Sequence, residues 1–115
     1  MKLSFEGIGQ WAATFACSQV SEGELVKISG NGTVSACGAN DKFCGMALSV
    51  GRGGDACTVA LGGMITAGYS GTTVPTVGWC DLLADGSGGV LVSTSGRSYL
   101  VAEVDTAAKT VTFVL

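Results

Sequence analysis

The side chains able to do chemistry are few in this 115-residue chain, and histidine is missing from it altogether. Ser-His-Asp systems, Cys-His systems and histidine-ligated metals are therefore excluded whatever the fold. Five cysteines stand at positions 17, 37, 44, 57 and 80. Their number is odd, their spacing is irregular and no Cys-x-x-Cys pair occurs. That pattern fits neither a disulfide scaffold nor a zinc site. It reads as free thiols that serve as small apolar side chains in strands. Two close carboxylate pairs, Asp81 with Asp85 and Glu103 with Asp105, are the residue types that glycoside hydrolysis uses. Asp85 opens a turn, Asp105 closes a strand, and few aromatic residues are present to line a sugar cleft. Gly51-Arg52-Gly53-Gly54-Asp55 looks like a phosphate loop, but it lacks the Gly-Lys-Ser/Thr ending and a helix pattern after it. The expectation is a protein that is not an enzyme, with no cofactor and no metal.

Composition narrows the class of partner. Charged residues make up 13% of the chain against 47% apolar ones, so part of the surface is expected to be covered by a partner or by other copies. Net charge is −3, and the six basic residues are scattered at 2, 27, 42, 52, 97 and 109. Without a basic cluster, nucleic-acid binding through phosphates is not expected. No apolar run reaches the ~18 residues that suggest a membrane-spanning helix, so no membrane role is expected. The opening MKLSFEGIGQ lacks the apolar core of a secretory signal.

The elements that must position these residues read as strands. Residues 23–61 and 78–115 repeat one order of features: an apolar run, a turn, a second run, an aromatic-led run and a final alternating run. In the first copy Asn31-Gly32 follows Leu25, Val26 and Ile28, a hairpin signal that favours a type I′ turn. Gly62-Gly63 predicts a further hairpin over 56–67. Residues 68–77 hold the sole proline and mark the boundary between copies. The fold class expected is all-β: a small β-barrel or sandwich built from two pseudo-repeated hairpin units, forming a single β domain over 21–115. Residues 1–20 lie outside the repeat. They read as an extended N-terminal arm with a short strand over 11–17, and the same residues also fit the first strand of the barrel. Phe5, Trp11 and Phe15 on this segment are the candidate partner-binding residues.

The run Phe43-Cys-Gly-Met-Ala-Leu-Ser-Val, the run Cys57-Thr-Val-Ala-Leu-Gly-Gly-Met-Ile and the ending Tyr99-Leu-Val-Ala-Glu-Val-Asp with Lys109-Thr-Val-Thr-Phe-Val-Leu carry a resemblance. They resemble a family of short prophage proteins, often mislabelled as recombinase-like, that is itself similar to phage capsid decoration proteins. The similarity runs over roughly residues 20–115, on Gly and Val placement. It implies a virion protein on the capsid surface, made in the host cytoplasm. Its implied partners are the major capsid protein and its own copies, commonly as a homotrimer that stabilises the head. No catalytic residues carry over. From the residues alone, the rival reading is a small-ligand or carbohydrate-binding β-barrel, which needs an open pocket with converging polar groups.

Overall fold

A computed structural model describes residues 10–115 and shows an all-β molecule with no helix among them. Its strands are β1 (Trp11–Cys17), β2 (Leu25–Gly30), β3 (Thr33–Ala36), β4 (Gly45–Val50), β5 (Ala56–Gly62), β6 (Met64–Ser70), β7 (Gly78–Ala84), β8 (Val90–Val92), β9 (Arg97–Asp105) and β10 (Thr110–Val114). They close into two five-stranded barrels, in the order β1-β3-β2-β4-β5 and β6-β8-β7-β9-β10. Closure pairs strands that an open sheet would leave as edges.

The two barrels are copies of one plan, and the registers show it in detail. In each, the first strand runs antiparallel to the fifth and touches the third in parallel over two residue pairs: Ala16 and Cys17 with Thr33 and Val34, Tyr69 and Ser70 with Val90 and Leu91. In each, the pairing of fourth and fifth strands skips one residue. Ala47 pairs with Val59 and Ser49 with Thr58, leaving Leu48 over; Val101 pairs with Phe113 and Glu103 with Thr112, leaving Ala102 over. Leu25 sits opposite Met46 as Trp79 sits opposite Leu100. The repeat thus holds five strands, not four. Residues 11–17 are the first strand of barrel 1, and Phe5 lies outside the described residues.

The hairpin expected over 56–67 does not form. β5 pairs with β1 and β4, and β6 pairs with β10 and β8, so Gly62-Gly63 joins two barrels and not two neighbouring strands. The reason is that each strand finds a partner more than forty residues away, which local turn chemistry cannot report. The expected hairpin at Asn31-Gly32 is present, but Gly32 alone of the two takes positive φ (+60°), and the ladder skips a residue between Ile28 and Gly30. The turn is therefore not type I′, which needs positive φ at both central residues.

Barrel 1 is filled by Cys17, Val20, Val26, Val34, Ala47, Cys57 and Val59, with Phe15 packed against them. Barrel 2 is filled by residues such as Ile65, Tyr69, Leu82, Val90, Tyr99, Val101 and Phe113. Leu25, Phe43, Met46 and Ala60 of barrel 1 belong to this second cluster. Period-2 alternation explains how. Val26, Ala47 and Val59 point into barrel 1, so their neighbours Leu25, Met46 and Ala60 point out of it, against barrel 2. Phe43 stacks on Tyr99 (centroids 5.0 Å apart, planes at 11°) and meets Phe113 edge-on at 5.9 Å. Backbone bonds stitch the same seam: Leu25 N donates to Gly88 O (3.2 Å), Asn40 N to Ala84 O and Ala84 N to Asp41 O (both 2.9 Å).

Candidate interaction surface

The three aspartates of the carboxylate pairs named above each have a structural task in the fold. Asp85 accepts hydrogen bonds from Ser70 Oγ (2.8 Å), Ser87 N (2.7 Å) and Gly89 N (3.1 Å), which builds the β7–β8 turn. Asp81 accepts from Ser98 Oγ across β7 and β9. Asp105 accepts from Ala107 N and Ala108 N and shapes the last turn, where Lys109 takes φ +55°. Every cysteine is a free thiol. Burial pushes Cys37 up to about 11, with Asp41 adding to the effect. Burial, then the neighbouring Cys17 thiol, pushes Cys57 up to about 11. Both are neutral thiols at pH 7 and so poor nucleophiles. Among the described residues no group of three or more Cys, Asp or Glu is placed to hold a metal ion.

Among the hollows on the described surface, two stand out. A cleft of about 350 Å³ at the seam is lined by Glu22, Glu24, Tyr69, Asp85 and Ser87 together with glycines. A second, of about 240 Å³, is lined by Thr14, Ser49, Val50, Cys57 and Thr58. Neither opens beside Trp79 or Tyr99. Tyr99 is buried, stacked on Phe43 and edge-on to Phe113 at 5.2 Å, with the Arg97 guanidinium 4.9 Å from its ring centroid. Among the described residues no buried side-chain nitrogen or oxygen lacks a hydrogen-bond partner.

The sequence candidates divide. Trp11 is 59% exposed at the start of β1, and its indole lies across Gly62, where any side chain would collide with it. Phe15, four residues on, is half-buried against the core of barrel 1. These two do not converge on one patch.

A different apolar surface does form, on barrel 2. Trp79 is 72% exposed, Val77 two residues before it is 69% exposed, and Leu100, opposite Trp79 on β9, is 41% exposed. Cys80, Tyr99 and Val101 beside them point inward and are buried, so Trp79 and Leu100 point outward by alternation. Trp79, near the start of β7, stands in the open. The sequence signal was available: Trp79 and Cys80 cannot share a face. A scan against protein-family models finds no match to this chain, and no curated protein matches it.

Proposed function

We propose that this chain is a non-catalytic structural protein of a phage particle, which binds the outside of the capsid and stabilises it as a homotrimer. The observation that carries the reading is the outward apolar face of Val77, Trp79 and Leu100 on a body whose interiors are filled. Such a face on a small protein suits a protein–protein interface. The family resemblance supplies the identity of the partner. The rival reading, a ligand-binding barrel, is disfavoured for the interior of barrel 2, which Tyr99 and Phe113 fill.

The test is co-sedimentation of the purified chain with expanded heads that lack a decoration protein. Saturable binding and a rise in the heads' disruption temperature are expected. Absence of binding at every concentration would sink the reading. A second arm examines the N-terminal segment. Removing residues 1–9 spares β1, whereas any deletion past Trp11 breaks barrel 1. The truncated chain should keep its circular dichroism spectrum and lose head affinity at least about tenfold, the loss of one buried aromatic anchor such as Phe5. Unchanged affinity would remove that segment from the interface.

A further inference from the structure

The internal repeat shows what a covered version of the exposed face looks like. Register equates Leu25 with Trp79, Met46 with Leu100 and Ala60 with Val114, because each trio pairs in the same way across the second, fourth and fifth strands of its barrel. In barrel 1 these outward positions are sealed, with Leu25 1% and Met46 9% exposed, by the body of barrel 2. In barrel 2 Trp79 is 72% and Leu100 41% exposed at the matching positions, and Val114 is half-buried. One face of one plan thus appears twice in the molecule, once covered by a barrel of this fold and once open.

The covering side of the seam has its counterpart too. Barrel 2 meets Leu25 and its neighbours through the β7–β8 turn, where Gly88 (φ +92°) accepts from Leu25 N, and through Ala84. Val34 pairs with Cys17 as Val90 pairs with Tyr69, which sets Gly32 (φ +60°) in the place of Gly88. Val34 also pairs with Ile28 as Val90 pairs with Ala84, which sets Ile28 in the place of Ala84 along the third-strand ladder; that ladder is offset by two residues from the fourth-strand one, since three residues separate Leu25 from Ile28 and five separate Trp79 from Ala84. Ile28 is 54% exposed beside the exposed turn Asn31-Gly32. The molecule therefore carries, uncovered, the strand positions and the turn that match part of each half of its own seam; Gly45 and Tyr99 match in register, which puts Arg97 where Phe43 stands, so the ring stack is not repeated.

We infer that the Val77–Trp79–Leu100 face of one copy docks on the Ile28 and Asn31-Gly32 surface of barrel 1 in a second copy, head to tail, through the strand-face and turn contacts of the intramolecular seam and without its ring stack. The occupant is a second copy because the matching face of barrel 1 is covered by a barrel of the same plan. A head-to-tail contact joins unlike surfaces, so it closes into a ring or propagates, and it does not stop at a two-fold dimer. The inference rests on the self-association in the reading above and makes no use of the capsid.

The test sizes the full chain by gel filtration with light scattering over a concentration series, with no heads present. The wild type should exceed its 11.4 kDa monomer mass and dissociate on dilution. Trp79→Asp and Ile28→Asp, both at exposed positions, should each run as monomers with unchanged circular dichroism. An equal mixture of the two variants should give a species of twice the monomer mass and nothing larger, because one intact pair of surfaces remains. Should Trp79→Asp fail to fold, Trp11→Phe leaves Trp79 as the sole tryptophan, and its emission should shift to the blue as concentration rises. A strict monomer, an oligomer indifferent to Trp79→Asp, or one broken by Trp79→Asp but not by Ile28→Asp would each overturn the inference. Head binding by a chain that stays strictly monomeric in solution would overturn this inference and leave the head-binding reading standing. An oligomer as described that ignores heads would do the reverse.

Discussion

Phe43 holds the seam at the scale of a single residue. It leads the segment into β4, is buried, and contacts two aromatic rings of the other barrel. Aromatic pairs of this geometry add about 0.5–1.5 kcal/mol beyond the area they bury. Phe43→Ala should therefore cost about 3–5 kcal/mol, the range for large aromatic truncations in cores. Urea unfolding checks it: the midpoint should fall while the slope stays the same. A loss under about 1 kcal/mol would mean that the seam repacks and that Phe43 is not its centre. The role of Phe43 was only half legible in the sequence. Its apolar run marked it for burial, but nothing local distinguishes an aromatic that fills its own barrel from one that reaches into a neighbour. The same ambiguity hid Trp79. Alternation with Cys80 fixes its face, while whether that face is covered depends on a partner the local pattern does not contain.

The connection from β3 to β4 is the element that carries the seam's polar contacts. Asp41 Oδ2 accepts from Lys27 Nζ and from Gly38 N, both at 2.7 Å, while its carbonyl oxygen takes the Ala84 N–H of barrel 2. The Lys27 side chain, then the Gly38 N–H, holds the Asp41 carboxyl below its ordinary value, and Asp41 in turn raises Lys27. A lowered carboxylate stabilises the fold above its unfolded value, near pH 4, and that contribution fades as pH falls through the folded value. The raised lysine acts on the alkaline side and is constant through neutrality. Melting temperatures of wild type and Asp41→Asn should therefore differ most at neutral pH and converge as the pH falls through the lowered folded value. The gap should be small, since a partly exposed pair contributes little. A gap that stays constant with pH would assign Asp41 a purely geometric role. At this scale the sequence was informative wherever partners are near in the chain. Runs beginning at Leu25 and Gly78 matched because hairpins and alternation are local signals. The strands at 11–17 and 64–67 were legible as strands, but their partners were not, because the ladders of β1 and β6 run to β5 and β10, and their contacts with β3 and β8 are two residues long.

For the molecule as a whole, two barrels that share a seam are not two independent domains. Alone, residues 1–62 would expose Leu25, Phe43 and Met46, and residues 63–115 would expose the rings of Tyr99 and Phe113 that Phe43 covers. The two fragments, mixed, should regain the circular dichroism and the cooperative melt of the intact chain, and neither should melt cooperatively alone. A cooperative melt of residues 63–115 by themselves would make the seam incidental to folding. The arrangement also bears on the order of events during synthesis. Closing barrel 1 requires Trp11 to meet Gly62, and closing barrel 2 requires Met64 to meet Val114. Contacts so distant in sequence place a chain among slow folders, in the range of ms to s. Until the stretch from Arg97 to Val114 has left the ribosome, the apolar outer face of the first barrel has nothing of its own to rest on. A nascent neighbour on the same message would present that face with the wrong partner first.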